Sequence, residues 1–260
     1  MNIASHKVKS PLRYPGGKSR AVIQILKCIP PHVTTVCAPF LGGGSIELAL
    51  AARGIEVYAY DNFKPLVHFW NELLHHPKQL SKQVQQFYPL TKAQFYDLQK
   101  NYDNLSTQQK TAAFYALNRA SFSGVTFRGG MSPHHPRFTK KAITQLATFT
   151  VNHLHVDCMD FKASISKHPH DFLYLDPPYY NAQKLYGDSN DSTSFNHAAL
   201  ANLLHQRNNW ILSYNDCSYI RTLYKGFKIK PLKWNYGMNA SKRSNEILVF
   251  SDNLHYLFNS

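Results

Sequence analysis

The sequence predicts an α/β fold: a mostly parallel sheet with helices on its faces, interrupted by a helical segment. Three observations predict it. Short β-rich runs alternate with helical patterns, as a parallel sheet demands, because each crossover between neighbouring strands takes about a helix's length of chain. From about His75 to Thr150 the alternation stops, and the chain turns helical, polar and basic. After that the strand signals resume and continue to Phe250.

Taken in order, Val33–Cys37 reads as a first buried strand and Gly54–Tyr60 as a second. Ser45–Arg53 lies between them as a helix that Gly54 can close, since glycine accepts the left-handed C-cap conformation. After Asp61, the residues Phe63, Leu66, Val67, Trp70, Leu73 and Leu74 recur at helical spacing, and Pro65 is tolerated in a first turn. The 75–150 segment holds one loop-like stretch, Ser121–Arg137, rich in Gly, Ser, Pro and His. Further strands are expected at Val151–Val156, Asp171–Leu175, Trp210–Tyr214, Phe227–Leu232 and Ile247–Phe250. The economical assembly is a Rossmann-like core of residues 1–74 and 151–260, with an inserted helical lobe of residues 75–150. A chain of 260 residues that is 43% hydrophobic can bury one such core with a smaller lobe attached.

The formal charge is +14, from 29 Lys and Arg against 15 Asp and Glu. An enzyme of small neutral metabolites has no use for that surplus, which points to a polyanionic partner. Its distribution sharpens the point. Lys110, Arg119, Arg128, Arg137, Lys140 and Lys141 share their stretch with Asp103 as the one acid, and Phe114, Tyr115, Phe122, Phe127 and Phe138 interleave with them. Cations for phosphates and flat rings for bases are a nucleic-acid signature, set against the plainer reading of a solubilising surface. No apolar run reaches the roughly 18 residues of a membrane span, and Met1–Ser10 lacks the apolar stretch of a signal peptide. Cys28, Cys37, Cys158 and Cys217 are scattered singly, which fits a reducing compartment and argues against a metal site. His75-His76 and His134-His135 lack partners at ligand spacing and read as surface or loop pairs.

Four motifs carry chemistry. Phe172–Tyr179 runs a hydrophobic strand into Asp176, Pro177, Pro178 and Tyr179. In an open α/β sheet, ligands bind beyond the carboxyl ends of strands, where this turn falls. The prolines stiffen it and remove donors, leaving Asp176 and the turn carbonyls as acceptors suited to an amino group, with Tyr179 as a flat face for a base. Pro39–Ser45 places three glycines after the first strand, allowing close approach of backbone to a ligand. That turn has neither the G-x-G-x-x-G spacing of dinucleotide sites nor the Gly-Lys-Ser/Thr ending of a phosphate loop. Asp61, after the second strand, suits ribose hydroxyls or the cap of the following helix; the glycine turn beside it favours the ribose. Arg13–Lys18 brings a ring, a glycine turn and a cation together.

In this order and combination the motifs resemble the Dam-type (D12 class) family of N6-adenine DNA methyltransferases. The resemblance is carried by Tyr14–Lys18, Pro39–Ser45, Asp61, Asn118-Arg119, Asp176–Tyr179 and Ser241–Phe250, and spans nearly the whole chain. It implies an S-adenosylmethionine-dependent methyltransferase core, with Tyr14, Lys18, Phe40, Asp61 and Asp176 contacting that cofactor and Asp160 and Phe161 holding its adenine. Asp176, Pro177, Pro178 and Tyr179 would be the catalytic residues, acting on an adenine flipped from the duplex. Asn118, Arg119 and Arg128 would contact double-stranded DNA, although Ser121–Gly130 only partly matches the GATC-specific members. A restriction endonuclease cutting the same site is an expected partner. A cytoplasmic location is expected too, near the nucleoid or, for a virus-encoded enzyme, in the host. Methylation of RNA adenine or of cytosine N4, or non-catalytic DNA binding, are the alternatives on the same core. Asp rather than Ser at position 176 leans towards adenine, and no cysteine follows a proline as expected of cytosine C5 enzymes.

Overall fold

A computed structural model of the protein describes residues 8–132, 137–180, 195–232 and 245–254. Short apolar runs become the strands of a seven-stranded sheet. These are β1 (Thr35–Ala38), β2 (Glu56–Asp61), β3 (Leu154–Cys158), β4 (Phe172–Leu175), β5 (Trp210–Asn215), β6 (Lys228–Leu232) and β7 (Glu246–Phe250). Their order across the sheet is β3-β2-β1-β4-β5-β7-β6. The first five are parallel, while β7 runs antiparallel to both β5 and β6. The central β4 is buried along its length, whereas edge strand β3 is mostly exposed. That contrast is why Phe172–Leu175 is a continuous apolar run and Leu154–Cys158 a mixed one.

The helices follow from the sequence in the same way. They are α1 (Val22–Leu26), α2 (Ser45–Ala51), α3 (Lys64–His75), α4 (Pro77–Gln85), α5 (Lys92–Lys100), α6 (Thr107–Ala120), α7 (Lys140–Ala147), α8 (Phe161–Lys167), α9 (His197–His205) and α10 (Ser218–Leu223). Gly54 (φ +80°) closes α2, its N–H donating to Ala51 O. Thr91 and Ser106 start α5 and α6 with capping boxes completed by Gln94 and Gln109, each satisfying donors the first turn leaves open. Strand limits differ from expectation by a residue or more. The largest shift is at β3, where His153 (φ +62°) takes a left-handed conformation that no strand continues through.

Alternate residues of the strands feed two apolar layers. Val36, Val57, Phe172 and Tyr174 face one; Cys37, Tyr60, Leu173 and Leu175 face the other. The second layer is covered by α9 and α10 through Leu200, Leu204, Ile220 and Tyr224. The first is covered by α1–α3, and it continues without a break into the inserted helices through Leu80, Val84, Phe95, Phe114 and Ile143. Phe69 of α3 stacks on Tyr115 of α6 with centroids 5.4 Å apart. The inserted segment therefore has no apolar core of its own.

Candidate active site

The strand order places the site. The chain leaves β1 towards β2 and β3, then returns to lay β4 on the other side of β1, so a crevice opens where the direction reverses. The residues that follow β1, β2, β3 and β4 line one cavity of about 1070 Å³.

β1 contributes the glycine turn. Gly44 has φ +67°, and a Cβ there would lie 2.7 Å from Trp70 Cζ2; at Gly42 (φ +48°) it would lie 2.9 Å from Tyr14 Cε1. The glycines therefore let the Tyr14 and Trp70 rings press against the turn, and Trp70 Nε1 donates to Gly42 O at 3.2 Å. β2 contributes Asp61. Its Oδ2 accepts from the Gly42 N–H and its Oδ1 from the Phe63 N–H, each at 3.0 Å. α3 receives no side-chain cap, so Asp61 ties the glycine turn to the chain ahead of the helix rather than capping its first turn. Each oxygen can still accept a second hydrogen bond, and burial raises the pKa of this carboxyl.

Beyond β3, Asp160 Oδ1 accepts from the N–H groups of Lys162 (2.7 Å) and Ala163 (3.1 Å), capping α8. That oxygen is committed to the fold, while the residue itself lines the cavity. Phe161 stacks on Phe40 at 5.9 Å, and Phe195 meets Phe40 edge-on at 5.5 Å. Phe195, which the sequence reading missed, completes an aromatic corner; it lies outside any strand or periodic helix, so no pattern marks it.

β4 delivers Asp176, Pro177, Pro178 and Tyr179 to the cavity. Asp176 is 22% exposed and pairs with the nearly inaccessible Lys18, whose Nζ donates to Oδ1 at 2.7 Å and Oδ2 at 2.8 Å. Lys18 Nζ also donates to Gly16 O at 3.1 Å, lies 3.4 Å from Glu246 Oε2, and sits 4.8 Å from the centre of the Tyr179 ring. The Tyr179 hydroxyl donates to Glu246 Oε2 at 2.6 Å. Burial raises the pKa of Asp176 above the usual carboxylate range, with Lys18 opposing the shift. Buried Glu47 of α2 is pushed up to about 8, first by burial and further by the charge of Asp176. Lys18 thus joins the carboxylates of Asp176 and Glu246 at the wall of the cavity. Glu47 and Glu246 went unread in the sequence; their signal is an acid embedded in an apolar run, in Ser45–Ala51 and Glu246–Phe250.

The three residues expected on DNA separate. Asn118 is buried: its Oδ1 accepts from the Arg13 N–H at 2.9 Å, and its Nδ2 donates to Arg13 O, Gly124 O and Thr126 Oγ1. With its amide spent on the chain's own groups it cannot touch DNA directly. Arg119 is partly buried, donating to Arg137 O and Pro11 O. Arg128 is exposed at the cavity rim. The aromatic pattern divides likewise. Phe114, Tyr115 and Phe138 belong to the core, and Phe127 packs on Phe63 and Tyr102, leaving Phe122, 64% exposed, as the ring that faces outward. Phe114 and Tyr115 are turned inward on α6.

Among the described residues, no group of three or more His, Cys, Asp or Glu could hold a metal ion, and no helix is long and apolar enough to cross a membrane. His75 lies on an exposed helix end, its Nδ1 paired with Asn71 O. His134-His135 and residues 241–244 of the late segment lie outside the described residues.

The geometry agrees with what comparison shows. The chain is similar to the modification methylase StsI of Streptococcus sanguinis, 27% identical over 210 residues that cover 70% of this chain and 30% of that protein. It therefore spans less than a third of this relative's length. The model of the D12 class N6 adenine-specific DNA methyltransferases matches residues 14–238, from the Tyr14 turn past β6. This protein belongs to the D12 class N6 adenine-specific DNA methyltransferase family.

Proposed function

We propose that the chain transfers a methyl group from S-adenosylmethionine to adenine N6 in double-stranded DNA. One observation carries the reading: a partly buried carboxylate, a stiff diproline and a tyrosine ring share one cavity with a glycine turn tied to a second acid, Asp61. The residues suit the cofactor. Asp61 has acceptor capacity for hydroxyls, Phe40, Phe161 and Phe195 form a wall for a purine, and the glycine turn with Tyr14 lets backbone come close. The bound cofactor supplies an electrophilic methyl group on a sulfonium. A cavity of this size lies at the top of the range for one ligand, about 300–1,000 Å³, which supports holding a nucleoside beside it.

Adenine N6 is conjugated with its ring and is a poor nucleophile, and inside a duplex it is out of reach, so the base must be extruded. Tyr179 offers the stacking face. Asp176 and the Pro177 carbonyl accept the two N6 hydrogens, orienting the nitrogen lone pair and stabilising the positive charge that develops there. Arg128 lines the cavity on its exposed side for phosphates, and exposed Phe122 on the same loop offers a ring for bases. Behind them Arg13, Arg119 and Arg137 lie within one another's field, which lowers the pKa of Arg13 and Arg119 beyond the effect of burial. Such a cluster favours an anion. A DNA substrate of this kind would go with a cytoplasmic location, and a restriction endonuclease reading the same site would be the partner.

The test is digestion to nucleosides of DNA and RNA incubated with the protein and labelled S-adenosylmethionine. N6-methyldeoxyadenosine is expected; N4-methyldeoxycytidine or label confined to RNA would overturn the reading. In parallel, calorimetry of Asp61→Ala should show cofactor binding weakened about tenfold, the loss of a hydrogen bond to a charged group.

A further inference from the structure

Behind Asp176 and Tyr179 lies an acid that the reaction above does not use. Glu246 is the first residue of β7 and is 5% exposed. β7 runs antiparallel to β5, pairing Glu246 with Asn215, so its first residue reaches the edge where the parallel strands end. A parallel β7 would have put this carboxylate at the opposite edge.

Lys18 stands where the proposed reaction needs the adenine amino group: it is an N–H donor on both Asp176 oxygens, over the Tyr179 ring. Its three hydrogens are taken by Asp176 and Gly16 O. An incoming amine must compete with it for Asp176. Expelling a buried ammonium without a new partner is costly, because it leaves a buried charge uncompensated. Glu246 Oε2 is already within ion-pair distance of that ammonium, at 3.4 Å, and the same oxygen holds the Tyr179 hydroxyl.

We infer that Glu246 is a positioning residue that fixes the Tyr179 ring and receives the Lys18 ammonium when the target amine takes its place on Asp176. The inference rests on the methyl-transfer reading. The exchange leaves Asp176 facing the amine with its charge uncompensated, as a nitrogen turning positive requires. It also explains why one buried lysine lies between two carboxylates.

Single-turnover methyl transfer to methylation-free plasmid DNA tests it. Glu246→Gln keeps the shape and removes the charge, and should slow transfer about 10- to 100-fold, the scale of a lost hydrogen bond to a charged group. DNA and cofactor affinities should stay near those of the wild type, and Glu246→Asp should recover part of the rate. A Glu246→Gln rate equal to wild type, or a loss of DNA or cofactor affinity that accounts for the slower rate, would overturn the assignment while leaving methyl transfer intact. If Glu246→Gln fails to fold in a thermal melt, Glu246→Asp decides, and a wild-type rate there with the carboxylate drawn back overturns the assignment equally. Absence of label on DNA with the wild type would instead sink the reaction itself, and the inference with it.

Discussion

The sheet edge and the 121–132 loop face each other across one cavity, but they are held by different means. At the sheet edge Asp61 and Asp176 end or follow parallel strands paired on both sides, and those ladders set their positions. The loop has no ladder. Ser123 (φ +53°) and Thr126 (φ +58°) take conformations that side chains disfavour, at a cost of order 1 kcal/mol or more each. Hydrogen bonds hold them there: Gln99 Nε2 donates to Thr126 O and Gly129 O, Ser121 Oγ accepts from the Thr126 N–H, and Asn118 bridges Arg13 to Gly124. Gly124 is forced at its position, since a Cβ would lie 2.1 Å from Arg13 O at φ +77°. The edge is rigid because of the fold, whereas the loop is rigid only while a few polar side chains hold it. Changes at the edge should therefore damage chemistry, and changes at the loop should damage DNA recognition.

Asp176→Ala is the severest test of that division. Loss of a preorganised charge at the reacting centre should cut transfer about 10³-fold, the upper end of such effects, while DNA binding by gel shift survives. Wild-type turnover would show that the edge is not the catalytic region. At the loop, Asn118→Ala strands the Arg13 N–H and C=O. It should destabilise the protein by about 3 kcal/mol in a denaturant melt, the cost of several unsatisfied buried groups. If stability holds and only DNA affinity falls, Asn118 reads DNA after all.

Glu47→Gln sharpens the electrostatic side of the edge. The folded protein holds this carboxyl at about 8 against a usual 4.5, so it binds its proton more tightly folded than unfolded. Ionisation then opposes folding: stability is fully present below pH 4.5 and is lost as pH rises to about 8. The glutamine variant should match wild type in acid and exceed it above pH 8 by the order of a few kcal/mol. A gap independent of pH would mean that the carboxyl is not held protonated. The smallest effect is expected at Phe122→Ala, which should weaken DNA binding by about 1–2 kcal/mol if the ring stacks on a base, with no change in cofactor affinity or melting. Unchanged DNA affinity would leave the loop without its aromatic contact.

The two regions also differ in how far they could be read beforehand. The seven described strands were legible to within a few residues, as were the glycine turn, Asp61 and Asp176 at the exits of β1, β2 and β4, because an apolar run and the residue that ends it are adjacent in sequence. Asp61 shows the limit: nothing in the sequence tells that its two oxygens accept from the Gly42 and Phe63 N–H groups. In the helical segment, residue type pointed to DNA for Phe114 and Tyr115 and the family resemblance for Asn118, yet all three are buried. A polar or aromatic residue does not announce which way its helix faces when the helix is covered nearly all round, as α6 is.

By itself, then, the sequence determined the α/β architecture, the cavity at the strand ends, and the carboxylate and ring that line it. Those depend on patterns a few residues long. Tertiary structure decided the rest: the Lys18 ammonium shared between Asp176 and Glu246, the inward turn of Asn118 and the outward turn of Phe122. The physical reason is distance along the chain. Lys18 and Asp176 are separated by 158 residues, and only the crossovers of the sheet, with one strand reversed, bring such partners within reach of a hydrogen bond.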